Sequence, residues 1–228
     1  MGERVSLVLA FFVCALTLSS AFATAALLIA RAARLGVVKV GVGAGPRVVR
    51  AGVVELRLLP WGSFIEPARG GDLPNVPPAS ALADAIANGR LRLADDAPAA
   101  VLVALAALPF VLASLASLAL LGPGAPGAAS GGISAIVAGA LSPLTAAPRA
   151  LDAALACFRA GDLPAFVGGA CAAIAGLEAA LLPSNVLFVL WVKTQRSGFG
   201  SARLVIYLAL LAAMVCWLVG LVAWLARA

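Results

Sequence analysis

An all-α polytopic membrane protein of about four spans, with a short β-hairpin in its first loop, is the fold class this sequence predicts. Three observations predict it. Of 228 residues, 63% are hydrophobic and only 11% charged, against roughly 45–50% apolar and about 25% charged in soluble domains. Charge-free runs long enough to cross about 30 Å of hydrocarbon, which takes about 20 residues, recur along the chain. Between the first two of these runs lies an alternating segment bracketed by Gly and Pro, the pattern of paired strands.

The elements follow in order within a single membrane domain, residues 1–228. Residues 5–30 form the first span. Arg4, the apolar run and the small residues Ala21, Ala23 and Ala25 also fit a cleavable signal peptide, but the run continues to Ala30 and outlasts the usual h-region of about 7–15 residues, so the segment is read as a retained span. Residues 37–64 hold the hairpin, with strands around Val38–Gly43 and Val53–Leu58 joined through Ala44-Gly45-Pro46. Residues 67–96, rich in Gly, Pro and Asp at their start, are expected to be a flexible loop. Residues 98–121 form the second span. Residues 122–150 carry Gly122, Gly124, Gly127, Gly131 and Gly132 with Pro123, Pro126 and Pro143, and are expected to be a loop with a short helix near 133–141. Residues 163–192 form the third span, interrupted only by Glu178, and residues 204–226 the fourth.

Charge placement predicts the orientation. Nine Lys and Arg residues lie between the first two spans and three between the last two, so placing both termini outside leaves twelve cations inside and four outside. That arrangement satisfies the positive-inside rule. The expected location is the bacterial inner (plasma) membrane, in contact with lipid, as a multi-pass protein with both termini outside the cytoplasm.

The chain has no histidine, which excludes His-centred metal sites and Ser-His or Cys-His catalysis. Cys14, Cys157, Cys171 and Cys216 have no CxxC spacing and read as small packing residues. Gly43-Ala44-Gly45-Pro46 lacks the following Lys-Ser/Thr of a nucleotide loop, and Ser19 and Ser20 have no His or Lys base on their helix. No nucleic-acid partner is expected, because the cations are spread through membrane loops.

Several segments, taken in order, resemble the site-2 protease family of intramembrane zinc metallopeptidases. They are Leu28-Ile29-Ala30-Arg31, Gly43-Ala44-Gly45-Pro46, the strand ending Leu59-Pro60-Trp61-Gly62-Ser63-Phe64, Leu105-Ala106-Ala107-Leu108-Pro109 and Leu181-Leu182-Pro183-Ser184-Asn185. In that family the corresponding features are HExxH followed by AR, a GxGP-like turn, a strand ending PLGGY, an AGP segment and NLLPxxxLDG. The resemblance implies a site-2-protease-like fold, and aligning it places the HExxH positions at Phe22, Ala23 and Ala26. The family's asparagine falls at Ala180 and its metal-binding aspartate at Phe188. Catalytic zinc needs about three N, O or S ligands and a carboxylate to activate its water. None is present at these positions, so zinc is not expected as a cofactor. A substitute set of Cys14, Cys171 and Glu178 can be drawn, but nothing in the spacing makes it converge.

With these departures, the resemblance implies a degenerate peptidase homologue of a metalloprotease family, a pseudoprotease. Its expected role is to bind a transmembrane or extended partner segment, such as a single-pass membrane protein, without cutting it. The candidate binding residues are Glu178, a carboxylate deep in an apolar span that also reads as a neutral, hydrogen-bonded structural acid or a relic of the lost cleft; Pro183, Ser184 and Asn185, expected to break the third span beside a cleft; and Val54, Leu56 and Leu58, on a strand edge open to an added strand. A structural subunit of a membrane complex is the alternative, and a small solute carrier using Glu178 a further one.

Overall fold

The computed structural model describes residues 2–70, 81–194 and 197–227, with all their side chains except those at 44–45, 59–62, 188, 191, 197–203, 207 and 210. Seven α-helices and one small sheet make up the described chain. They are α1 Gly2–Ala32, β1 Val37–Ala51, β2 Val54–Pro67, α2 Ala81–Ala87, α3 Ala99–Leu121, α4 Ala125–Leu141, α5 Ala146–Arg159, α6 Leu163–Thr194 and α7 Ser197–Ala226. Among the described residues, four stretches are long and apolar enough to cross a membrane: Gly2–Ala32, Ala99–Leu141, Leu163–Thr194 and Leu204–Ala226. The chain is thus an integral membrane protein, mostly helical, with a small sheet.

The region expected as a Gly/Pro-rich loop, 122–150, is instead largely helical. Its breakers sit where helices tolerate them. Gly122 takes φ +54° and ends α3, Pro123 lies in the 3-10 turn Gly122–Gly124, and Pro126 occupies the first turn of α4, where the missing N–H has no intrahelical partner to lose. Pro143 follows the α4 C-cap at Ser142. Composition alone suggests a coil, but Gly122, Pro123, Pro126 and Pro143 fall at helix ends, and Gly127, Gly131 and Gly132 are carried within α4.

The chain divides into two compact units: residues 1–14, 110–184 and 200–228 form the first, and residues 15–109 and 185–199 the second. The divisions within α3 and α6 fall beside Pro109 and Pro183. A helix loses a backbone hydrogen bond at an interior proline.

In the first unit, Leu7, Leu155, Phe166 and Trp224 form a buried cluster joining α1, α5, α6 and α7, with Val8, Leu151, Phe158 and Leu221 packed around it. Phe158 and Phe166 meet edge-on at 5.4 Å. The Trp224 Nε1–H donates to Asp152 Oδ1 at 2.7 Å, and the Arg4 guanidinium stacks over the Trp224 ring at 4.8 Å while donating to the Trp224 carbonyl. Arg159 pairs with Glu3 through its Nε at 2.8 Å. The start of α1 and the ends of α5 and α7 therefore share one end of this unit. Small residues let α6 approach α4 closely: a Cβ on Gly132 would stand 2.9 Å from the Ala173 Cα, and one on Gly176 would overlap Ile133 Cγ1.

In the second unit, α1 ends when Arg34 adopts φ 52° and the Leu35 N–H donates to the Ala30 carbonyl at 2.8 Å. This left-handed cap satisfies carbonyls that the helix end would otherwise leave open. The stretch expected as a flexible loop, 67–96, is tied down where it is described, while 71–80 lies outside the described residues. Gly36 N–H donates to the Arg92 carbonyl at 2.9 Å, Ala68 N–H to Gly36 at 2.8 Å and Ala94 N–H to Ala68 at 2.8 Å. Alanines at 68 and 94, exposed at 1% and 0%, let these backbones come together. Lys193 Nζ then donates to the carbonyls of Ala94, Asp95 and Ala97, at 3.3 and 2.9 Å for the first two. Lys193→Met is expected to remove about 1–3 kcal/mol by stranding these acceptors. Amide exchange should accelerate at Ala94–Ala97 and stay unchanged across α4 and α5; a uniform change would refute the local role.

The hairpin exists, but its turn is Gly52–Val53, with Gly52 at φ +59°. Its strands are longer than expected and bend back on themselves. Val40, Gly41 and Val42 pair with Ile65, Phe64 and Ser63 on one side and with Val54, Glu55 and Leu56 on the other. Val54, Glu55 and Leu56 pair in turn with Ala51, Arg50 and Val49. This register requires β1 to reverse between Val42 and Arg47, where Gly43 takes φ +91°, so the Gly43–Pro46 signal marks a bend inside the first strand.

Candidate functional site

The positions aligned with the zinc motif lie on a buried stripe of α1. Ala15, Ser19, Phe22, Ala23, Ala26 and Ala30 recur at helical spacing, and Phe22, Ala23 and Ala26 are 3%, 5% and 0% exposed. Phenylalanine and alanine offer no lone pair to a metal. Ala180, on the first unit, is exposed, and the Phe188 side chain lies outside the described ones. Among the described residues no three His, Cys, Asp or Glu side chains gather, and that includes Cys14, Cys171 and Glu178. The donor set at these positions does not fit a catalytic zinc ion.

Glu178 is the sixteenth of 32 residues in α6 and is half-buried. At 100° per residue it points about 200° away from Gly176, the side on which α6 meets α4. It makes no hydrogen bond or ion pair with any described residue. No Lys or Arg lies between 5 and 30, 98 and 148, or 204 and 226, so the spans around it supply no counter-charge.

The expected break at Pro183 is absent. α6 runs unbroken from Leu163 to Thr194 through Pro183, because a long apolar helix retains enough of its other backbone bonds to continue. Ser184 is 0% exposed and its Oγ has no hydrogen-bond partner among the described residues. Asn185 Nδ2 donates to the Ala106 carbonyl at 3.3 Å, joining two segments that carried the family resemblance. Glu178, Pro183 and Ser184 belong to the first unit and Asn185 to the second.

The strand edge expected at Val54, Leu56 and Leu58 is also corrected. Val54 and Leu56 have register partners on both sides, and the open edge is Arg47–Ala51. Leu58 is 64% exposed. The bend in β1 explains the change, since it carries Arg47–Ala51 outside Val54–Leu56.

Two features escape a reading of the sequence alone. Glu55, 5% exposed, is ringed by Arg57, Arg50 and Arg47 at 3.3, 3.8 and 3.9 Å, and Arg57 stacks over Phe64 at 4.4 Å. A single acid among three arginines is the available signal. The other is a depression of about 260 Å³ lined by Ala32, Ala33, Arg34, Arg92, Pro98 and Val101, which joins residues too distant in sequence to suggest one another. No family model, curated protein or solved structure matches this chain.

Proposed function

We propose that this chain is a catalytically inactive, site-2-protease-like protein that holds a transmembrane or extended partner segment without cleaving it. The observation that carries the reading is Glu178, a mid-span carboxylate with no counter-charge in the spans and no partner among the described residues. A polar group at that depth is costly and marks a site that something else satisfies. Loss of cleavage follows from the apolar side chains at Phe22, Ala23, Ala26 and Ala180. An extended segment would add along Arg47–Ala51, the open strand edge.

The proposed setting is the bacterial inner membrane with both termini outside, from the cation count. The contact of Arg4 with Trp224 agrees with an even number of crossings. A second reading, a structural subunit of a larger complex, is favoured by α7, whose apolar stretch is only 6% buried.

Photoreactive residues in place of Leu181, about one turn from Glu178, and of Val49, placed singly in the full chain in its own membrane, test the two. Trapping of one single-pass segment supports the proposal, whereas a fixed set of subunits trapped equally from Leu211 on α7 supports the alternative. Purified protein is expected to hold far less than one equivalent of zinc; one tightly bound equivalent with peptidase activity would overturn the inactive reading.

A further inference from the structure

The depression between the end of α1 and the start of α3 has a chemistry of its own. Arg34 and Arg92, 58 positions apart, are brought together by backbone alone: the Arg92 N–H donates to the Arg34 carbonyl at 2.6 Å, and Leu35 and Arg92 form a β-bridge. Both residues line this open depression with Pro98 and Val101, and both are exposed. Neither makes a hydrogen bond or ion pair with a described side chain. No acid is among the lining residues, and the nearby Asp95 carboxylate is engaged, accepting the Gly70 N–H at 2.8 Å.

The surroundings say which anion fits. Ala32 closes the apolar first span, and Ala99 opens the second, shortly after Asp95 and Asp96. The cavity therefore stands where two spans pass from apolar to polar sequence, the level of lipid phosphates in a bilayer. Two guanidinium groups offer paired N–H donors that match phosphate oxygens. The first N–H groups of α3 carry the positive end of its dipole, while at the end of α1 the carbonyls of Ile29, Arg31 and Ala30 accept the N–H groups of Ala33, Arg34 and Leu35. Pro98, Val101, Ala32 and Ala33 supply an apolar wall for the glycerol and upper acyl carbons.

We propose that Arg34 and Arg92 form a binding site for the phosphate of an anionic phospholipid headgroup, seated between the first and second spans. The site is independent of any partner held at Glu178.

The full chain in detergent, stripped of lipid, would be given phosphatidylglycerol, phosphatidylcholine or inorganic phosphate, and read by native mass spectrometry and thermal unfolding. One phosphatidylglycerol should be retained with at least about tenfold preference over phosphatidylcholine, with a matching rise in Tm. Arg34→Gln with Arg92→Gln should abolish the preference; Arg90→Gln, outside the lining, should keep it. Because the two arginines are joined through main-chain atoms, the double variant should fold, which an unchanged lipid-free Tm would show. Equal retention of the two lipids, or a preference that survives the double variant, overturns the proposal. An equal Tm rise with millimolar phosphate would also overturn it, by assigning the arginines to a free anion.

Discussion

Trp224→Ala is expected to cost about 3–5 kcal/mol, the range for truncating a buried aromatic, and to give the largest loss of any single truncation in the first unit. The ring is 1% exposed and touches the cluster formed by Leu7, Leu155 and Phe166, so its removal opens a void shared by four helices. Two polar contacts go with it: Asp152 loses the indole N–H, and Arg4 loses the ring it stacks on. Trp224→Phe separates these effects. It keeps much of the volume but strands Asp152, and should cost about 1–3 kcal/mol. Thermal unfolding of the two variants beside the parent checks the order, and a Trp224→Ala protein melting with the parent would refute the role of the cluster.

Gly220→Val should be the most damaging small-to-large change. A Cβ at Gly220 would stand 2.5 Å from the Pro143 carbonyl oxygen and 2.6 Å from the Ala147 Cβ. The first of these is backbone and cannot swing aside. Overpacking of this kind costs about 1–3 kcal/mol, occasionally more, and the branched side chain of valine places it at the upper end. The contrast is Gly127→Ala in α4, where a Cβ would meet nothing within 4 Å; it should gain about 0.5–1 kcal/mol from the better helix former. Equal melting of the two variants would mean that α7 does not press on the Pro143 turn.

Spans are legible in the sequence because a bilayer demands a long apolar run, and that demand is local. The four long apolar helices fall where charge-free runs occur. What tertiary context decides is less legible. The glycines and prolines of 122–150 read as coil, yet Gly122, Pro123, Pro126 and Pro143 fall at helix ends while Gly127, Gly131 and Gly132 are tolerated inside α4. Pro183 reads as a break, yet α6 continues through it. The register of the sheet depends on pairing between Val40–Val42 and Val54–Leu56, which alternation alone cannot reveal, so the sequence points to the wrong strand for the open edge. Arg34 and Arg92 meet only because their main chains pair. Glu178 stands out in the sequence for the general reason that a mid-span carboxylate is expensive; in the proposed reading, what satisfies it belongs to a second chain.

Holding without cutting is the central claim, and the mass of the held segment tests it most directly. A single-pass segment photo-trapped from position 181, beside an intact Glu178, would be left with the full chain in membranes, with zinc added, and then weighed. The proposal predicts the segment at its full mass for as long as it stays bound. Two fragments meeting at a bond inside the membrane-spanning part, formed by the parent chain and dependent on zinc, would contradict it.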